Sequence, residues 1–250
     1  MTIMTRFPAW VSVACVSLAV ATASLSAQTI AITGGKVHPV SGPVIENGTV
    51  LVRDGKIVAV GSNIAIPADA QRIDAKGKWV TPGIVNATTS LGLTEIGAVE
   101  QTVDLSASGQ GDGVTPSLRV WDGFNPASAL LQVTRNDGIT TVGLIPRGGL
   151  VGGQGAVVSL GDGALGDVML KGPAAMFADI GSKGPDRGAS RAEVYQRLRA
   201  VLAEARDWPR RRSRYDANAS RPLAARPVDL EALQPVLRGE IPLAIDADRA

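Results

Sequence analysis

The chain has 250 residues, of which 45% are hydrophobic and 4% aromatic, with a formal net charge of +2, one histidine and one cysteine. That length can bury a sizeable core, a charge so near balance excludes binding to nucleic acid through a broad basic face, and one cysteine excludes a disulfide-stapled scaffold. Twenty-nine glycines and so few aromatics suit a loop-rich α/β protein better than a helical bundle.

Arg6 precedes an apolar stretch from Trp10 to Ala21, and small residues follow to Ala27. This order predicts a secretory signal peptide over residues 1–27, cleaved after Ala23 or Ala27, and so a periplasmic or secreted protein with no further membrane attachment. The apolar run is shorter than the roughly 20 residues that a span requires. Cys15 lies inside it, which leaves the mature chain without cysteine and dependent on its core for stability.

Residues 28–82 read as short strands joined by tight turns, a small β domain. Val50-Leu51-Val52-Arg53 and Lys56-Ile57-Val58-Ala59-Val60 flank Asp54-Gly55, a pair that tolerates the positive φ angles of a two-residue hairpin turn. A second hairpin is expected around Lys76-Gly77, pairing Arg72-Ile73-Asp74 with Lys78-Trp79-Val80. Thr81-Pro82-Gly83 closes the domain, because proline cannot donate to a sheet and glycine frees the chain to turn.

Residues 83–250 alternate strands with helices, the rhythm of a parallel sheet or barrel. Residues 84–87 form a strand. Asn125 is expected to cap a helix that starts at Pro126 and reaches Asn136, where Asp137-Gly138 ends it; residues 139–145 are then a buried strand. The glycine-rich run 148–155 lacks the Lys-Ser/Thr ending of a phosphate-binding loop and reads as a tight loop at the barrel mouth. Ser190-Arg191-Ala192-Glu193 has the form of a capping box, with Val194, Leu198, Val201, Leu202 and Ala205 at helical spacing behind it. Arg210, Arg211, Arg212 and Arg214 read as a solvated loop. Residues 229–237 form a helix bent or shortened at Pro235, Gly239 ends it, and residues 241–245 are a strand. About 165 residues follow Gly83, fewer than the ~250 of a full (β/α)₈ barrel. The expectation is therefore half a barrel, whose last strand presents an open edge unless missing sequence or another element covers it.

Several segments carry a resemblance. Ile32-Thr33-Gly34-Gly35-Lys36-Val37, the Asp54-Gly55 hairpin, and Lys76-Gly77-Lys78-Trp79-Val80-Thr81-Pro82-Gly83-Ile84-Val85-Asn86-Ala87 followed by Leu91-Gly92-Leu93 resemble the entry into amidohydrolase-superfamily proteins, closest to the exported imidazolonepropionase-like branch. Asp122-Gly123-Phe124-Asn125-Pro126, Asn136-Asp137-Gly138-Ile139-Thr140-Thr141-Val142, Gly152-Gly153-Gln154-Gly155-Ala156-Val157 and Ile241-Pro242-Leu243-Ala244-Ile245-Asp246 extend it. The resemblance implies a β-sandwich built from both chain ends beside a (β/α)₈ TIM barrel, with one or two divalent metals, zinc among them, that activate water against an amide-like C–N bond.

The chain departs from that pattern at the implied ligands. Where relatives carry His-x-His after the first barrel strand it has Thr88-Thr89-Ser90, and where they tend to read His-Ala-His-Arg it has Asp246-Ala247-Asp248-Arg249. Neutral hydroxyls are weak ligands, whereas zinc favours imidazole, thiolate and carboxylate donors. Thr88, Ser90, Asp246 and Asp248 are thus the positions matching metal ligands, and no cofactor is expected in this chain. The sole histidine, His38, reads as a turn or surface residue, Glu95 and Glu100 as solvated carboxylates, and Lys171 as a carbamate-bearing metal bridge only by analogy. Three readings stay open: a degenerate, inactive amidohydrolase-like protein that binds a small amide or peptide-like ligand or pairs with itself or an active paralogue; a hydrolase whose oxygen-ligand site is completed by missing sequence or a partner chain; and a non-functional truncated fragment.

Overall fold

The computed structural model describes residues 29–107, 113–181, 190–217 and 222–248. The signal segment expected over residues 1–27 lies outside them. The fold is mixed α/β and divides into two units, Met1–Pro82 and Gly83–Ala250.

The first unit holds β1 (Thr29–Val37), β2 (Ile45–Arg53), β3 (Lys56–Gly61), β4 (Gln71–Asp74) and β5 (Trp79–Val80). β2 and β3 form the expected hairpin, with Asp54 and Gly55 at φ of 52° and 71°. The second hairpin does not form. β4 and β5 both run parallel to β1, beside Ile30–Thr33 and Lys36–Val37 respectively, so the turn at Lys76-Gly77 is a jog between two stretches on one neighbour. The amide of Lys76 donates to Asp74 Oδ1 at 2.9 Å, and Lys78 N donates to the Ala75 carbonyl at 2.9 Å. Gly35, at the bulge in β1, makes room for the jog: a Cβ there would lie 2.7 Å from Val80 Cγ2. Ala31, Val37, Val50, Leu51 and Ala75 are the unit's buried apolar residues among those described.

The second unit is built on β6 (Ile84–Thr89), β7 (Ile139–Leu144), β8 (Val151–Ser159), β9 (Met169–Asp179) and β10 (Leu243–Asp246), in the order β10-β9-β8-β7-β6. β6 with β7 and β9 with β10 are parallel pairs, but β8 runs antiparallel to both neighbours. The all-parallel expectation is therefore corrected. Four strands point the same way around one reversed strand, and the start of β8 meets the ends of the others along one rim.

Much of the supposed glycine-rich loop is β8 itself. Gly155 stands where a Cβ would lie 2.6 Å from the Leu144 carbonyl oxygen and 2.4 Å from the Phe177 ring, and at Gly153 one would lie 2.7 Å from the Leu118 carbonyl oxygen. Glycine serves there to let neighbouring strands and the 113–118 segment approach.

The helices are α1 (Ala129–Asn136), α2 (Leu165–Val168), α3 (Arg191–Asp216), α4 (Pro227–Ala232) and α5 (Gln234–Leu237). Ser128, not Asn125, caps α1: its Oγ accepts from Leu130 N at 3.3 Å, while Asn125 Oδ1 is already taken by Ala127 N at 3.0 Å in a turn. The α3 start is as read, with Ser190 Oγ accepting from Glu193 N at 3.2 Å.

The arginine cluster is helical, which corrects the loop reading. α3 continues through Pro209 to Asp216. Proline lacks the N–H that would bond the carbonyl four residues back; that carbonyl, of Ala205, instead accepts from Gln234 Nε2 of α5 at 2.8 Å. Arg210 pairs with Asp207 at 2.7 Å, Arg211 with Glu204, and Arg212 with Glu231 at 3.6 Å. The single bent helix expected over 229–237 is two short ones, parted at Leu233.

Two apolar clusters pack against the sheet. One joins Leu150, Val151 and Met176 to Leu198, Val201, Ala205, Trp208, Leu230 and Leu233 of the helical layer; the other joins Val142, Leu144 and Val158 to Leu93, Phe124 and Leu131. The outer strands are more open, with Ile84, Val85 and Ile245 all exposed.

Candidate functional site

Because β6, β7, β9 and β10 point the same way, their carboxyl ends share the rim of the second unit. In register, Asp179 at the end of β9 stands beside Asp246 at the end of β10, one interstrand spacing of ~4.8 Å away. Ile180 N donates to the Asp246 carbonyl at 2.9 Å and Gly181 N to Asp179 Oδ1 at 2.9 Å. Asp248 folds over Gly181, where a Cβ would lie 3.2 Å from its Cγ. Burial pushes the Asp179 carboxyl above its ordinary value, the Gly181 amide opposes that, and the charges of Asp246 and Asp248 raise it further.

A cavity of about 370 Å³ opens at this place. Asp179 and Asp246 line one part of it, Arg147 and the Gly148-Gly149 turn another, and Ile145 and Phe177 supply apolar surface. Asp179 was not singled out in the sequence, because the resemblance that drew attention to Asp246 assigns it no role.

The four positions matching metal ligands do not form one cluster. Asp246 and Asp248 lie near Asp179, whereas Thr88, within β6, and Ser90, just after it, lie at the opposite edge, with β7, β8 and β9 between. Thr88 N donates to Asn86 Oδ1 at 3.2 Å, and Leu91 N to Thr89 Oγ1 at 3.1 Å, so this end is a run of hydrogen-bonded turns. Among the described residues no three His, Cys, Asp or Glu side chains form a group that could hold a metal ion.

The remaining candidates fall elsewhere. His38 belongs to the first unit, its ring 4.9 Å from that of Trp79 and its backbone amide donating to the Val80 carbonyl at 2.9 Å. Glu95 is not a free loop carboxylate: it accepts from Asn125 Nδ2 at 3.0 Å and Ser128 Oγ at 2.9 Å, tying its loop to the start of α1. Glu100 is exposed in a short 3-10 turn. Lys171 lies eight residues before the end of β9, about 26 Å away at ~3.3 Å per residue, which removes it from the rim. One buried acid escaped the sequence reading. Asp229, fully enclosed, accepts from Ser117 N at 3.0 Å, Ser117 Oγ at 2.6 Å and Arg226 Nε at 2.6 Å, and so ties the 113–118 segment to α4.

No family model matches the chain. It is 44% identical over 55 residues to a dihydroorotase of Anaeromyxobacter dehalogenans, a match covering 22% of this chain and 13% of the relative. It is 45% identical over 71 residues to a 5-methylthioadenosine/S-adenosylhomocysteine deaminase of Symbiobacterium thermophilum, covering 27% and 16%, and 49% identical over 51 residues to an imidazolonepropionase of Bradyrhizobium, covering 19% and 13%. The solved structure of an amidohydrolase from Thermotoga maritima superposes with a TM-score of 0.75 and 27% identity over 88% of this chain and 58% of that one. These relatives and this neighbour are amidohydrolase-superfamily proteins. Amidohydrolases of this kind generally use a divalent metal, and the chain is similar to them in fold and over short stretches of sequence. In these matches the chain spans less than a fifth of the curated relatives' length and 58% of the solved neighbour.

Proposed function

We propose that the chain is a periplasmic or secreted amidohydrolase-like protein, of the imidazolonepropionase-like branch, whose metal site is degenerate and which binds a small C–N-bonded ligand without hydrolysing it. In this reading the five-stranded sheet is part of a (β/α)₈ barrel and the first unit part of a β-sandwich. The observation that carries it is a superfamily-like scaffold over 88% of the chain combined with Thr88, Ser90, Asp246 and Asp248 at the strand ends. The donor set does not fit tightly held zinc: the two hydroxyls are neutral, the carboxylates stand at the far edge of the sheet, and the one histidine is in the first unit. What the rim residues can do is bind and orient a ligand by charge and hydrogen bonds.

Elemental analysis of the purified chain, together with hydrolysis assays on dipeptides and cyclic amides, tests the proposal. Substoichiometric metal and no turnover are expected; stoichiometric zinc with chelator-sensitive turnover would overturn it. The exported location rests on Arg6, the apolar stretch and the small residues that follow, and an extracytoplasmic fraction lacking the first 23 or 27 residues is the expected product.

One observation favours a second reading. Asp179 adds a carboxylate beside Asp246, and oxygen donors suit a hard cation such as Mg²⁺ or Ca²⁺, for which further ligands would have to come from outside the described residues. A hydrolase of that type, completed by further sequence or a partner chain, would lose activity in Asp246→Asn while remaining folded.

A further inference from the structure

The cavity at the rim has opposite charges on its walls. Arg147 follows β7, its backbone amide held by the Leu105 carbonyl at 2.9 Å, and its side chain is exposed. Among the described residues that guanidinium has no ion pair or side-chain hydrogen bond. Asp179 and Asp246 share the same cavity from adjacent strands. Like charges on neighbouring strands are unfavourable unless a cation lies between them. An anion alone would meet the two carboxylates, and a cation alone would leave Arg147 unanswered. A ligand carrying both charges answers both walls.

Size narrows the class. A cavity of 370 Å³ is that of a small-molecule site and corresponds to roughly 9 Å across. An extended dipeptide spans about 7 Å from one charged end to the other at ~3.5 Å per residue. We propose that this cavity binds a zwitterion of dipeptide size, with its carboxylate on the planar fork of Arg147 and its ammonium between Asp179 and Asp246. Phe177 and Ile145 supply an apolar wall for its side chains. The inference rests on the reading above for the C–N-bonded nature of the ligand and adds the charges that recognise it.

Titration calorimetry on the purified chain, with a set of L-dipeptides bearing uncharged side chains, tests the assignment beside their N-acetylated and carboxamide analogues. At least one free dipeptide should bind, and each cap should weaken it by about tenfold or more. In Arg147→Gln, a surface change that leaves the fold intact by circular dichroism, the carboxamide and the free dipeptide should bind equally; in Asp246→Asn the N-acetylated form should no longer be disadvantaged. Absence of binding across the set, or capped analogues that bind as tightly as free ones, would overturn the zwitterion site. Product release is followed in the same samples. Cleavage would overturn the non-hydrolysing reading while leaving this recognition in place, and absence of both binding and cleavage would overturn this inference alone.

Discussion

The two ends of the rim differ in what stands behind them. At the β9–β10 end, Met176 and Ala178 are buried, and Met176 packs in one apolar layer with Leu198, Val201, Trp208 and Leu230. At the β6 end, Ile84 and Val85 are exposed and the strand has one neighbour. Asp179 thus ends an inner strand backed by a packed helical layer, with Asp246 beside it on the edge strand β10, whereas Thr88 lies in the edge strand β6 and Ser90 just after it. Crowding of like charge persists only where packing enforces it, which makes the β9–β10 end the better place for recognition and the β6 end tolerant of change.

The sharpest way to break this contrast is to remove the backing. Met176→Ala should cost about 2–5 kcal/mol of stability, the range for a fully buried methionine replaced by alanine, measured by denaturant unfolding. A loss below about 1 kcal/mol would show that the helical layer does not support this end. Next in size, Gln234→Ala leaves the Ala205 carbonyl, orphaned by Pro209, without its partner, and should cost about 1–3 kcal/mol; a melting temperature equal to the parent's would mean that the proline in α3 needs no such bond.

Asp179→Asn probes the crowding itself. A carboxyl raised above its ordinary 3.8 penalises the folded state once it ionises, so the parent loses stability as pH rises from about that value through the folded one. The asparagine variant, which retains an oxygen for the Gly181 amide, should be more stable than the parent at pH 7 and equal to it below that range. A difference of the opposite sign would refute the crowding. Smallest of all, Thr88→Ala at the exposed β6 end should change stability by no more than about 0.5 kcal/mol. A loss several times larger would erase the distinction between the two ends.

Legibility from sequence follows the range of the interactions. The β2–β3 hairpin was readable because Asp54-Gly55 contains the whole turn, and the start of α3 because Ser190 and Glu193 cap it within one turn. Both are local. The β4 and β5 strands looked like partners across Lys76-Gly77, but each prefers β1, some 40 residues away. The reversed β8 was hidden because glycines chosen for close approach look like glycines chosen for a loop. In the site, Asp246 was found from the resemblance, while Asp179 became visible only through its register with β10.

By itself, then, the amino-acid order determined the hairpin at Asp54-Gly55, the start of α3 and most strands, along with the presence of Thr88, Ser90, Asp246 and Asp248 where the resemblance implies histidine. Tertiary structure alone decided that α3 runs on through Pro209, that β8 runs backwards, and that two aspartates 67 positions apart share one cavity with Arg147. The physical reason is that a turn or a cap is completed by atoms within a few residues, whereas strand direction and charge crowding depend on partners that the chain brings near only when its apolar layers close.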